Sequence, residues 1–130
     1  VVENTLLELQ QLAAYHLQQF NIPVIVITGS NGKTTVKEWI AQLILHSDVK
    51  LVRSPKSYNS QVGVPLSVLL TEPNDEVAVF EVGISEQGEM EKLEKIIHPK
   101  ACTLSTEIGI LTNIGEAHQE NFLDISNKLD

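Results

Sequence analysis

The sequence holds little of what several kinds of protein need. It has one cysteine, Cys102, so no intramolecular disulfide framework can form, and a reducing compartment suits it. No stretch approaches the ~18 consecutive apolar residues of a membrane-spanning helix. No basic segment followed by an apolar core opens the chain, so no signal peptide is expected and the cytoplasm is the expected location. Basic residues are scarce: 9 Lys and Arg stand against 17 Asp and Glu, for a formal charge of −8. They form no run. Both facts argue against a nucleic-acid groove or an anionic membrane surface as the main partner. Internal repeats and low-complexity tracts are absent as well.

What remains is an ordinary globular composition. At 130 residues and 42% apolar, the chain is one domain or part of one, and can bury a real core. It starts without Met and stops inside a polar, helix-like segment, so it is expected to be a piece of something longer.

The most informative stretch is Thr28-Gly29-Ser30-Asn31-Gly32-Lys33-Thr34-Thr35. It follows the apolar run Val24-Ile25-Val26-Ile27. It opens a segment with helical spacing at Val36, Trp39, Ile40, Leu43 and Ile44. Strand, glycine loop and helix in this order make a phosphate-site hypothesis. Glycines let successive N–H groups point inward, and the helix N-terminus adds unpaired donors and partial positive charge. Lys33 supplies a point charge for β- and γ-phosphates, and the Thr34 hydroxyl can bind Mg²⁺. In so acidic a chain the positive potential must be local to Lys33. The general pattern G-x-x-x-x-G-K-[ST] wants a glycine where Ile27 stands, so the loop is a variant. The plainer alternative is an ordinary strand-to-helix turn with a surface lysine.

Residues 3–20 read as an amphipathic helix with Leu6, Leu9, Ala13, Leu17 and Phe20 near one face and Gln10, Gln11, Gln18 and Gln19 mostly off it. His16 reads as a surface or packing residue, since Leu12 and Phe20 flank it at i±4. Pro23 launches a continuous apolar strand over 24–28, of the kind buried in a parallel sheet. The following helix runs to about His46, and 49–53 is a second strand. This βαβ unit is right-handed by strong rule. A polar stretch, 54–61, follows at the sheet edge where α/β ligand sites lie. A short helix follows, from Gly63 to about Leu70, with Pro65 in its first turn.

Residues 76–83 form a third strand that Glu81 interrupts. A carboxylate near the end of a buried strand is costly unless paired or metal-bound. The alternative is a Glu leaving the sheet into solvent. Residues 85–97 are a helix with Met90, Leu93 and Ile97 inward. Residues 101–105 read as strand or loop. A fourth strand covers 108–114, and a last helix begins near Ser126. His118 follows that strand's end and can share an edge with Glu81, although a lone His is usually structural.

Three stretches, TGSNGKTT at 28–35, YNSQVGVP at 58–65 and TNIGEAHQENF at 112–122, with Glu81-Val82-Gly83 between the last two, resemble the central ATPase domain of the Mur ligases, which form amide bonds in peptidoglycan synthesis. The resemblance spans nearly the whole chain. It implies an α/β fold: a three-layer, P-loop-type, mostly parallel sheet flanked by helices, here truncated. It implies that residues 1–22 are a linker helix from a missing N-terminal domain and that 23–130 are the N-terminal part of the ATPase domain. The wording around Val36-Lys37-Glu38 and 62–66 is most similar to the branch that adds D-Ala-D-Ala to UDP-MurNAc-tripeptide. The wording at 53–60 and 88–93 is most similar to its Bacteroidetes form, often fused to an alanine racemase.

Roles follow by resemblance. Gly29, Ser30, Asn31, Gly32, Lys33, Thr34 and Thr35 form the ATP site, with Lys33 and the amides from Asn31 to Thr35 on the phosphates. Thr34 and Glu81 hold one Mg²⁺, and His118 helps hold a second. Lys33, Glu81 and His118 are the expected catalytic set. Asn59 and Ser60 face the γ-phosphate and the UDP-substrate; the family often has paired Asn or Asn-Thr there, and Ser60 departs from it. The family's carbamylated lysine falls just past Asp130, with Lys128 about one helical turn early. The later strands and the amine-binding domain are missing too. The 130-residue piece alone is therefore expected to be inactive, and its uncovered core surface to favour self-association.

The implied chemistry is attack of a carboxylate on the γ-phosphate of ATP, giving an acyl phosphate that an amine then opens. It needs positioning and charge neutralisation more than covalent help. Two alternatives stay open: another Mur-type or folylpolyglutamate-type ligase, and a P-loop module that binds or hydrolyses nucleotide as a switch.

Overall fold

A computed structural model of the chain describes residues 1–85, 87–97 and 108–115. The expectations placed on the Met90 side chain, on 101–107, on His118 and on the helix near Ser126 lie outside the described residues. The elements are α1 (Thr5–Gln18), β1 (Val24–Thr28), α2 (Lys33–Leu45), β2 (Leu51–Arg53), α3 (Gly63–Val68), β3 (Val77–Glu81), α4 (Glu89–Ile97) and β4 (Ile108–Leu111). The sheet order is β2-β3-β1-β4, and each neighbouring pair is parallel.

This order fixes the layers. The β1-to-β2 crossover runs one way across the sheet, and the β2-to-β3 and β3-to-β4 crossovers run back. Right-handed crossovers then put α2 on one face and α3 and α4 on the other. Packing agrees: α2 lies against β1, β2 and β3, whereas α1, α3 and α4 pack on one another. The strand period of two does the rest. Ala78 and Phe80 join Val24, Val52, Leu17, Val64, Val68 and Leu93 in one buried cluster. Val77, Val79 and Glu81 alternate onto the α2 face. Phe80 is fully buried, and Phe80→Ala would cost roughly 3–5 kcal/mol.

Two helix faces differ from the sequence reading. In α1, Asn4 caps the first turn by accepting from Leu7 N–H at 3.0 Å. Ala13 and Leu17 are buried as expected, but Leu6 is exposed and Gln10 is buried. A polar partner draws Gln10 in: its Nε2 donates to Gln61 Oε1 at 2.9 Å. His16 is a packing residue, 2.9 Å from the Thr71 carbonyl oxygen and edge-on to Phe20. In α2 the spaced apolar set splits: Val36, Ile40 and Ile44 are half-buried, whereas Trp39 and Leu43 are 63% and 75% exposed. The buried positions are Lys37 and Ala41, one turn apart. Acceptors buried beneath α2 turn Lys37 toward the sheet; they belong to the site.

Candidate functional site

Because the sheet is parallel, the carboxyl ends of all four strands share one edge, where ligands of open α/β sheets bind. The loop after β1 uses two glycines in left-handed conformations, Gly29 at φ 135° and Gly32 at φ 79°. At Gly32 the need is conformational only, since an added Cβ would meet nothing within 4 Å. Gly29 also needs space: a Cβ there would lie 2.1 Å from Thr112 Oγ1. Gly32 caps α2 without a side chain, and the first turn carries no acid. That leaves a helix N-terminus suited to an anion. Lys33 Nζ lies back over the loop and donates to the Gly29 carbonyl at 2.7 Å.

The end of β4 closes the other side of this loop. Ser30 N–H donates to the Asn113 carbonyl at 3.0 Å, and Asn31 N–H to Asn113 Oδ1 at 2.9 Å. Thr112 Oγ1 donates to the Asn31 carbonyl at 2.5 Å, and Gly115 N–H to Ser30 Oγ at 2.8 Å. The Asn31 amide, expected to face phosphate, is thus held by Asn113 in this state.

Glu81 ends β3 beside β1, in register with Ile27, and its side chain is fully buried. The solvent-directed alternative is therefore wrong. Thr34 Oγ1 donates to Glu81 Oε2 at 3.2 Å, and Asn59 Nδ2 approaches the same oxygen at 3.4 Å. Gly83 makes room for Asn59: its N–H donates to the Asn59 carbonyl at 2.7 Å, and a Cβ would lie 2.9 Å from that oxygen. Ser60 sits apart, exposed, with its Oγ accepting from Gly63 N–H at 3.0 Å at the start of α3.

Glu81 Oε1 accepts no hydrogen bond, yet Lys37 Nζ stands 3.2 Å from it. Sequence reasoning gave Lys37 no role. A usable signal was present: Lys37 follows Lys33 by one helical turn, and a carboxylate on a buried strand demands a cation. Ser54, also missed, accepts from Glu81 N–H at 3.0 Å through its hydroxyl. Asn113, inside the strand expected over 108–114, was given no role of its own.

The donor set of a hydroxyl and one carboxylate oxygen, beside the N-terminus of α2, suits a hard cation of the Mg²⁺ type, which takes few protein ligands. Among the described residues no three His, Cys, Asp or Glu side chains gather, so a closed transition-metal cage is not present there.

A parallel sheet with this loop and this carboxylate at its carboxyl edge defines the class: an α/β domain whose first strand leads through a glycine loop into a helix at the ligand-binding edge of the sheet. Residues 27–129 match the Mur ligase middle domain, and the chain belongs to the Mur ligase family. Among curated relatives, UDP-N-acetylmuramoyl-tripeptide–D-alanyl-D-alanine ligase of Bacillus subtilis is 39% identical over 121 residues, covering 93% of this chain and 25% of that protein. The enzyme of the same name from Borreliella burgdorferi is 42% identical over 125 residues, covering 96% and 25%. The crystal structure of MurF ligase from Thermotoga maritima in complex with ADP superposes with a TM-score of 0.83 at 32% identity, covering 99% of this chain and 28% of that one. MurF from Acinetobacter baumannii gives 0.86 at 32% identity, covering 99% and 27%. The chain spans about a quarter of the length of the curated relatives it matches.

Proposed function

We propose that this chain is part of the nucleotide-binding domain of an ATP-dependent ligase that joins D-Ala-D-Ala to UDP-MurNAc-tripeptide. One observation carries the reading: Thr34, Asn59 and Glu81 converge beside the Lys33 loop, with Thr34 Oγ1 and Asn59 Nδ2 both on Glu81 Oε2. The substrates named for the relatives, and the complex of the Thermotoga maritima ligase with ADP, support the substrate and the nucleotide.

In this reading the acceptor carboxylate attacks the γ-phosphorus, the bond to the β-phosphate oxygen breaks, and ADP leaves. The amine of D-Ala-D-Ala then attacks the acyl carbon and expels phosphate. Loop amides and the α2 N-terminus bind the phosphates, and Lys33 leaves the Gly29 carbonyl to reach the β/γ-oxygens. Thr34 and Glu81 would hold Mg²⁺, which when bound neutralises charge on phosphate oxygens. His118 is assigned to a second Mg²⁺ by resemblance. Asn59 positions the γ-phosphate end of the site and shapes Glu81. The UDP-linked substrate suits a cytoplasmic location, and no described helix is long and apolar enough to cross a membrane. Ile108 and Leu111 are exposed on β4, at the edge of the described sheet, which supports self-association of the isolated piece.

The test is phosphate release by the full-length protein. Release from ATP that requires both UDP-MurNAc-tripeptide and D-Ala-D-Ala supports the ligase. Release that proceeds equally without them would favour a nucleotide switch and overturn it.

A further inference from the structure

Lys37 is among the largest fully buried side chains of the described residues. Two backbone carbonyls and one buried carboxylate oxygen lie closest to its ammonium. Nζ donates to the Ser54 carbonyl at 2.8 Å and to the Lys56 carbonyl, and it lies 3.2 Å from Glu81 Oε1. Glu38 Oε1, nearer the surface, is 3.4 Å away. Stability alone does not explain such a residue. An apolar side chain of similar volume often serves as well as a buried ion pair.

Its partners show what it controls. Ser54 and Lys56 flank Pro55 at the start of the loop that carries Asn59. Lys56 is the one non-glycine residue at positive φ among the described residues, at 48°. That conformation presents its carbonyl to Nζ. Ser54 in turn takes the Glu81 N–H through its hydroxyl. Lys37 thus grips both sides of the site. One grip is on the loop leading to Asn59. The other is on Oε1 of Glu81, leaving Oε2 to Thr34 and Asn59.

We infer that Lys37 is a positioning residue: by holding Glu81 Oε1 and the Ser54 and Lys56 carbonyls at one point, it aims Glu81 Oε2 and Asn59 at the metal–phosphate position. The inference rests on the proposed Mg²⁺-nucleotide site. A competing electrostatic effect has the opposite sign. Removing a cation 3.2 Å from Oε1 also removes a repulsion on any metal bound at Oε2. If charge alone mattered, losing Lys37 would tighten Mg²⁺ binding. If positioning dominates, losing it weakens the binding.

The experiment is calorimetric titration of ADP into the full-length protein, first without divalent metal and then across a Mg²⁺ series. Wild type is compared with Lys37→Met, Lys37→Arg and Glu81→Gln, each first checked for a cooperative melt. Arg keeps the charge, but its planar fork cannot place three donors at one point. For both Lys37 variants the expected result is metal-free ADP binding within about twofold of wild type and a Mg²⁺ enhancement reduced about tenfold or more, about 1.4 kcal/mol. A Mg²⁺ enhancement equal to or greater than wild type in whichever Lys37 variant folds overturns the inference. Failure of both to fold would also overturn it, leaving Lys37 a purely structural residue. Glu81→Gln separates the metal site from the role of Lys37. If it keeps the full Mg²⁺ enhancement, the metal assignment itself is wrong. If it loses the enhancement while the Lys37 variants keep it, only the role of Lys37 falls.

Discussion

Lys37 Nζ and Glu81 Oε1 lie 3.2 Å apart, and neither side chain reaches solvent. This pair joins the first helix after the glycine loop to the end of the central strand. It keeps a carboxylate where an apolar residue would pack more cheaply. Breaking such a pair from one side leaves a buried charge uncompensated, at a cost of about 3–5 kcal/mol. Lys37→Met is expected to lose stability in that range by urea denaturation. The double variant Lys37→Met with Glu81→Leu should recover most of the loss, because both charges go. A double variant as unstable as the sum of its parts would show that the two residues are not coupled.

Gly83 is a second joint. An alanine there would press on the Asn59 carbonyl at 2.9 Å and on Asn59 Oδ1 at 3.0 Å. Backbone cannot yield as a flexible side chain does. Gly83→Ala is expected to destabilise by about 1–3 kcal/mol, read as a lowered urea midpoint, and to weaken Mg²⁺-ADP binding with it. Unchanged stability would mean that the Asn59 loop moves freely against β3.

Much of this architecture was legible beforehand, for physical reasons. β1 was read at its observed bounds because an unbroken β-branched run between Pro23 and a glycine loop has few other uses. Glu81 stood out because charge is expensive on a buried strand. The demand of Glu81 for a cation was legible too, but not that Lys37 would meet it: a lysine on a helix ordinarily faces water, and its acceptors come from segments that only the fold brings together. The same cause kept the most buried positions of α2 from view. Periodicity marked Val36, Trp39, Ile40, Leu43 and Ile44 alike, but the helix turns Lys37 and Ala41 fully inward and leaves Trp39 and Leu43 exposed. Asn113 could not have been matched to Asn31 before β4 was known to lie beside β1.

The two loop glycines separate conformational strain from lack of space. Gly32→Ala meets no atom within 4 Å and should cost about 1–2 kcal/mol for its positive φ alone. Gly29→Ala adds a contact of 2.1 Å with Thr112 Oγ1, so it should cost more and should also loosen the bonds from the end of β4. Thermal melts of the two variants give the order directly. Equal shifts would contradict the role of Thr112 in closing the loop.

The central claim is that the loop between β1 and α2 holds the phosphates of a nucleotide. The most direct test is calorimetric titration of ADP with Mg²⁺ into the full-length protein and its Lys33→Ala variant, with melting temperatures measured in parallel. Lys33 reaches back along its own loop to the Gly29 carbonyl at 2.7 Å and stands outside the buried hydrophobic cluster, so the fold should tolerate its loss. The account predicts binding at least about tenfold weaker in Lys33→Ala, a loss of about 1.4 kcal/mol, with an unchanged melt. Equal affinity in the two proteins would contradict it.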